Sequence, residues 1–577
     1  VIRMRRTVPA GNRPQQIHIS TAGSMWNRTE VDEPSVSDQE CQLVYHLAMT
    51  SVSWDGGEKL GMPRRVLIVG SGAAGTAAAF SLGKHPKVFD VEIWDRNAVP
   101  GGVACTASLE EQRGTYVNYG VQGGTPTYRN TVNILSLHGF TTDPVHMMIS
   151  FGKGKTAWTN YDDSDLTKRL QKDIARFEKT LKLINRFEAL FIFLPISKVL
   201  KWFGYSDEFM NEMVFPLTAL FFGTGNQTPD VSSAIMARVF LDDDLRLFDY
   251  DSDRLLSQTP EMFAFPNLEE MYETIISKSG AKYFRNRPVK SVSRHRDGIV
   301  VTDKEGGKEW FDDVIFACDA ETALGILKDP SFMEKQTLGN VRYFNDLIVT
   351  HEDEDYMNKH YELHKEKDQY LVRTDESDPT KIEMSFDLSN YQPQLKKIRD
   401  EKQHVFQTIF LDDENQRFWT FPKIKTEKVM YRHWWRQFSH TWRHFAFSVP
   451  LMRYIQGKRN TYYAGAYTLV NTHEAAVMSG LAAAYRLGAP YPFDHDALAK
   501  KQFNHYLMMI HGKPRKYGCN VDTLVSGILA VFMGIFAFFS MITRAIVDRT
   551  ETTSETRRGF GKAVYNGQQM ADDSTGR

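Results

Sequence analysis

The sequence predicts an α/β fold in which a parallel-sheet core of the dinucleotide-binding kind is interrupted by an α+β domain. Three observations carry that expectation. A strand, a glycine-rich turn and a small-residue helix begin at Val66, a second strand ends in Asp95, and a strand–loop–helix between Tyr463 and Gly480 returns to the same core. Beyond that core, Leu524–Ile542 is a run of 19 residues without a charge.

The first element is Val66-Leu67-Ile68-Val69, a short apolar run of the kind found in strands buried on both faces. Gly70-Ser71-Gly72-Ala73-Ala74-Gly75 follows and leads into Thr76–Leu82. Gly70 makes the tight turn, Gly72 admits a pyrophosphate against the backbone, and Gly75 lets the helix lie close to the strand. The first N–H groups of the helix, from Ala73 and Ala74 onward, and its dipole then face phosphate. The second strand, Val91–Trp94, ends in Asp95, 25 residues after Gly70, with Arg96 beside it. A carboxylate there can accept both ribose hydroxyls. A lone GxGxxG carries little weight; the flanking strand, helix and acid supply it.

That set alone would serve NAD. Gly101-Gly102, six residues past Asp95, is a further glycine pair that a plain NAD domain does not need. Near the other end, Gly465 and Ala466 in Tyr463–Tyr467, then Ala475 and Ala476 in Asn471–Gly480, put small residues where a bulky cofactor must fit closely. Together these elements point to a Rossmann-like domain holding FAD.

The length of 577 residues exceeds one compact core, so two domains with appendages are expected. We divide the chain into a flexible N-terminal extension (1–61), FAD-binding segments (62–150, 263–330 and 456–500), substrate-domain segments (151–262 and 331–455), a connector (501–523), a transmembrane helix (524–542) and a disordered tail (543–577). Leu43–Trp54 could form a short ordered piece within the extension. No secretory signal opens the chain, and it starts at Val1 rather than methionine. As a helix, Leu524–Ile542 spans about 28 Å, close to the hydrocarbon thickness of a bilayer. Basic residues flank it on both sides, so loop charge barely chooses an orientation. A single late span places the main body on the cytosolic side of an unspecified membrane.

Composition excludes some functions. A net charge of −1 provides no basic face for nucleic acid. The four cysteines, Cys41, Cys105, Cys318 and Cys519, are scattered without a CxxC pair, which argues against a zinc site or a disulfide framework. His440 and His444 stand one helical turn apart, but no third ligand or HExxH glutamate accompanies them, so no metal is expected. The basic and aromatic mixture from Tyr431 to Arg436 is also compatible with a membrane surface. In the substrate domain, Ile174, Phe177, Leu181 and Ile184 mark an amphipathic helix that leads to Ala189–Leu194, Pro195 and Ile196–Phe203. These apolar runs are too short to span a bilayer. A tunnel wall, an interfacial segment and ordinary core remain open readings for them.

The glycine turn, the acid-x5-Gly-Gly run and the late Ala-Gly segment resemble the flavin-containing amine oxidase superfamily, which includes phytoene desaturases and protoporphyrinogen oxidases. The resemblance implies that Arg287–Val292 is the strand whose backbone, at Val289, meets the adenine, and that Phe311–Cys318 returns to the FAD domain. Val117-Asn118-Tyr119-Gly120, Thr127-Tyr128-Arg129-Asn130 and Asp319–Leu324 are similar to a narrower branch, the flavoproteins associated with cyclopropane fatty acid synthases. Polyunsaturated fatty acid isomerases are more distant relatives. Asn118 stands where the branch has Asp, and Val103 replaces a polar residue after the glycine pair. The late motif has no cysteine, so the resemblance implies non-covalent FAD. It also places His473 and Glu474 at the substrate cage, where an imidazole beside a carboxylate could hold or move a proton or serve as internal structure.

The expected activity is a membrane-anchored FAD-dependent oxidoreductase taking hydride from an apolar unsaturated lipid, with oxidation, desaturation or double-bond isomerisation as outcomes. An amine oxidase is one alternative, disfavoured because the cage position is not aromatic. A non-catalytic flavoprotein partner of a lipid-modifying enzyme is another. The oligomeric state is left open.

Overall fold

The computed structural model describes residues 62–223, 225–241, 248–398 and 403–512. The expected extension with its Leu43–Trp54 stretch, Cys41, Cys519, the connector beyond Gly512, the span Leu524–Ile542 and the tail lie outside these residues. Among the described residues no helix is long and apolar enough to cross a membrane.

The apolar run at Val66 forms the centre of a five-stranded parallel sheet. Its order is Lys282–Phe284, Phe89–Trp94, Arg64–Val69, Asp313–Phe316 and Thr461–Tyr463. Ile68 stands in register with Ile93 on one side and Ile315 on the other. Val66, Leu67 and Ile68 are fully buried, as a strand covered on both faces must be.

The helix Ala73–Gly83 has no apolar stripe because it is enclosed on nearly all sides. A Cβ on its Gly83 would lie 2.1 Å from the Ser279 carbonyl oxygen, at the end of the helix Leu268–Ser279. On another side, a Cβ on Gly480 of the helix His473–Leu487 would lie 2.0 Å from the Ala74 carbonyl oxygen. Small residues therefore let two further helices close onto it.

The second sheet has seven strands in the order Val429–Ser439, Arg342–His351, Phe406–Phe410, Ile382–Asp387, Tyr370–Thr374, Ile149–Phe151 and Trp158–Thr159. Its pairs are antiparallel except for Tyr370–Thr374 against Ile149–Phe151. One face packs with the helices of residues 165–241 into the largest apolar cluster, in which Ile348, Val372 and Met384 meet Ile174, Phe177 and Leu181. The spacing that predicts an amphipathic helix there is realised in Asp165–Arg186. Ser164 caps it by accepting from the Thr167 N–H, and Ile174, Phe177, Leu181 and Ile184 are fully buried.

One stretch differs from the sequence expectation. Residues 501–511, read as connector, belong to the helix Ala497–His511. Phe503, Tyr506, Leu507 and Ile510 recur at helical spacing and are buried against the same cluster as the Rossmann-like core, so this helix belongs to the body of the protein.

Candidate cofactor site

The glycine turn leaves the end of the strand Arg64–Val69 in a conformation only glycine adopts readily, Gly70 having φ +103°. A Cβ there would approach the Ala317 carbonyl oxygen to 2.9 Å, and one on Gly75 would reach the Gly70 carbonyl oxygen at 2.0 Å. Gly72 is extended, precedes the helix as its N-cap and forms a bridge with Gly101, so the two glycine pairs meet. Ala73 and Ala74 begin the helix, so its first N–H groups lie at that junction and create the local potential that attracts phosphate.

Asp95 is nine-tenths buried beside this turn. Its Oδ2 accepts from the Ser71 N–H at 2.7 Å and the Ser71 hydroxyl at 2.6 Å, while Oδ1 accepts from the Asn97 N–H at 2.8 Å. The Asp95 carbonyl accepts from the Arg287 N–H at 2.7 Å, which carries the segment beginning at Val289 to the same end. Val289 is half-buried and opens the strand Val289–Arg294; Arg96 is exposed.

The late motif closes over the helix. Gly465, at φ +142°, donates its N–H to Ser479 Oγ at 2.7 Å, and that hydroxyl donates to the Ala476 carbonyl at 2.6 Å. Ala466 and Ala476 stay half-buried, whereas Ala475 is buried and donates its N–H to the Thr472 hydroxyl that caps the helix.

From the glycine pairs a track continues to the second sheet. A Cβ on Gly120 would lie 2.2 Å from the Val103 carbonyl oxygen and 3.9 Å from the Trp435 ring, so this residue joins the two. The inward side of Val429–Ser439 presents Tyr431, His433, Trp435, Gln437 and Ser439, and the first two rings lie 5.2 and 5.0 Å from Tyr119. Gln437 donates Nε2 to Asp346 Oδ2 at 2.5 Å, which turns its Oε1 the other way. Gly223 stands against that oxygen, where a Cβ would be 3.0 Å from Gln437 Oε1 and 3.6 Å from Asn471 Nδ2. A small open hollow, with about 10 Å³ of room for water-sized groups, lies here between Gly223, Phe344, Asp346, Leu411, Gln437 and Ser439.

Several buried polar atoms along this track have no partner within the protein: Trp435 Nε1, Gln437 Oε1, Ser439 Oγ and the Tyr467 hydroxyl. Such groups are ordinarily satisfied, and those on Trp435, Gln437 and Ser439 share one side of a strand, which marks where a polar ligand fits. Burial raises the Asp346 carboxyl to about 7, against hydrogen bonds from the Asp412 N–H and Gln437. Burial also pushes the Cys105 thiol up to about 11 and raises that of Cys318.

His473 and Glu474 lie elsewhere. The Tyr272 hydroxyl lies 2.7 Å from His473 Nε2, and Thr131 Oγ1 lies 3.1 Å from Nδ1. Glu474 Oε1 accepts from the Asn130 N–H at 2.8 Å and Nδ2 at 2.7 Å, and Oε2 from the Thr131 N–H at 2.9 Å and hydroxyl at 2.7 Å. The carboxylate thereby caps the helix Arg129–Leu137. Burial lowers the imidazole to about 4 and raises the Glu474 carboxyl. The expected catalytic pair thus lies between three helices, with its side chains engaged by Tyr272 of Leu268–Ser279 and by Asn130 and Thr131 of Arg129–Leu137. His440 accepts from the Asn471 N–H at 2.7 Å, and His444 Nε2 lies 2.6 Å from the Tyr467 carbonyl oxygen, so both hold backbone of the late motif.

Sequence reasoning missed Asp346, Gln437, Ser439 and Tyr467. The signal available for Gln437 and Ser439 was period-two alternation, which puts them with Trp435 on one side of a strand.

Comparison with known proteins agrees with this construction. The sequence family described as an NAD(P)-binding Rossmann-like domain matches residues 68–136. No curated protein matches the sequence. Solved structures share the fold over most of the described chain. A fatty acid isomerase from P. acnes, described as producing CLA, has a TM-score of 0.53 at 15% identity, covering 73% of this chain and 98% of that one. Putrescine oxidase bound to putrescine gives 0.54 at 14%, covering 74% and 99%. Cyclohexylamine oxidase from Brevibacterium oxydans gives 0.53 at 13%, covering 74% and 99%. The chain therefore has the fold of amine oxidases and of a fatty acid isomerase.

Proposed function

We propose that the chain is an FAD-dependent oxidoreductase acting on an apolar, unsaturated lipid or fatty acid, anchored to a membrane by Leu524–Ile542. The observation that carries this reading is the track from Gly70–Gly75 and Gly101-Gly102 to Gln437, with phosphate-seeking N–H groups at one end and unpartnered polar atoms at the other. Its chemistry suits a dinucleotide that ends in a polar ring. A flavin bound there supplies a two-electron acceptor.

The protein's own groups bind, orient and exclude water. Asp95 and the segment at Val289 hold the adenosine end, and Ala466 and Ala476 leave room for the chain between the two ends. Gln437 Oε1, Ser439 and Tyr467 meet the polar ring or substrate, with Asp346 fixing the Gln437 amide. Tyr119, Tyr431, Trp435 and Phe344 form an aromatic wall. With thiols kept protonated by burial, Cys105 and Cys318 are poor nucleophiles, which supports non-covalent binding.

A second reading, oxidation of an amine, is favoured by one observation: the hollow beside Gln437 is lined by Asp346 and Asp412 and by no Lys or Arg. The deciding experiment incubates the purified flavoprotein anaerobically with unsaturated fatty acids and, separately, with amines. Flavin bleaching or double-bond migration with lipid supports the first reading, and bleaching with amines alone overturns it. No response to either favours a non-catalytic partner of a lipid-modifying enzyme. Gln437→Leu should keep the flavin and slow the productive reaction at least about tenfold.

A further inference from the structure

Leu183, Phe187, Leu190 and Trp202 are 38, 47, 67 and 68% exposed, although large apolar side chains are ordinarily withdrawn from water. All four lie on one helical hairpin. The helix Asp165–Arg186 is followed by the short helix Glu188–Phe191, and the chain turns at Pro195 into Ile196–Trp202. That last helix runs back along the first, because Arg176 donates to the carbonyl oxygens of Phe203 at 2.8 Å and Gly204 at 2.6 Å. The opposite side of the long helix is the buried stripe through Ile174, Phe177 and Leu181, so the exposed residues are not spare core.

Charge is segregated here as well. Between residues 178 and 202 stand Lys179, Lys182, Arg186, Lys198 and Lys201 against only Glu178 and Glu188, in a chain whose net charge is −1. All five cations are exposed. Glu188 is bound by Arg238 at 2.7 Å and Glu178 by Lys182 at 2.7 Å, which leaves Lys179, Arg186, Lys198 and Lys201 unmatched by these two acids. Bulky apolar side chains ringed by lysine and arginine suit the boundary between headgroups and acyl chains of an anionic leaflet.

We propose that this hairpin docks on an anionic lipid surface, a second contact with the membrane separate from the uncharged run Leu524–Ile542. Residues 513–523 separate the described body from that run, and 11 residues reach at most about 40 Å when extended. The tether therefore holds the body within one protein diameter of a bilayer, where a weak basic–aromatic surface is enough to fix its orientation. Leu183, Phe187, Leu190 and Trp202 enter the headgroup boundary, and the five cations contact lipid phosphates and carboxylates.

Hydrogen exchange on the full chain tests this, in nanodiscs of phosphatidylcholine alone and of phosphatidylcholine with phosphatidylserine. Exchange in residues 183–202 should slow roughly tenfold only in the anionic discs. The double variant Lys198→Glu, Lys201→Glu should lose that protection while peptides from the parallel sheet keep theirs. Equal protection in both kinds of disc would mean that the run itself or a second copy covers the patch. No protection in either would mean that the hairpin stays in water. Either result overturns the proposal.

Discussion

Gly480 lies so close to Ala74 that a Cβ added to the glycine would stand 2.0 Å from the alanine's carbonyl oxygen. This contact joins the helix that begins at the glycine turn to the one that carries the late motif, so both parts of the candidate cofactor site depend on it. Gly480→Val should cost at least about 3 kcal/mol and leave little folded protein. Gly325→Ala, inside the helix Ala320–Ile326 with nothing within 4 Å of an added Cβ, should perturb far less. Thermal denaturation of the two variants side by side measures the difference.

Asp95 organises the other half of the site through Ser71. Asp95→Ala removes the one oxygen, Oδ2, that accepts from both the Ser71 N–H and the Ser71 hydroxyl at the glycine turn. Flavin content after purification should fall, with affinity about 10- to 100-fold weaker. Titration of the apoprotein with FAD reads that shift, and Arg96→Ala, at an exposed position, should change it less.

Glu474 is held by four hydrogen bonds from Asn130 and Thr131, which describes a structural clamp better than a reacting acid. Glu474→Ala leaves those buried donors unmatched and should lower stability by about 2–4 kcal/mol. Flavin that does bind should still be bleached by substrate at a rate near wild type. Denaturant melts, read together with anaerobic bleaching rates, separate the two roles.

Buried imidazoles set the response to acid. Burial lowers His444 and His473 to about 4, and His351 and His511 to about 3, from an ordinary 6.5. As pH falls from about 6.5 to about 4, the unfolded chain takes up protons that the folded chain refuses, so stability falls. Asp346, raised to about 7, acts in the opposite sense, because between about 4 and about 7 the folded chain keeps a proton that the unfolded chain releases. His360, lowered to about 4, and the lowered His440 join the imidazoles, while Asp313, raised to about 6, and the raised Glu474 join Asp346. The more numerous imidazoles leave a net loss of stability toward acid. Urea unfolding at a series of pH values should show it.

The glycine end of the site is legible in the sequence because its constraints are local. Gly70, Gly72 and Gly75 fall within six consecutive positions, and Asp95 follows the adjacent strand. The far end is not legible, because Asp346 and Gln437 meet through a sheet register that spans 91 positions of sequence, and each alone reads as an ordinary strand polar residue. Proximity to the late motif marked His473 and Glu474, but proximity in sequence does not say which way a helix's first turn points. Helix Ala497–His511 escaped for a related reason. Its lysines and histidines mask an apolar stripe that only the packed body explains.

Release of the cofactor tests the central claim most directly. The purified full chain is denatured with acid, and supernatant and precipitate are examined for flavin by absorbance and chromatography. The account predicts about one equivalent of unmodified FAD per chain in the supernatant and none in the precipitate. Flavin retained by the precipitate, or a nicotinamide dinucleotide in its place, would contradict it.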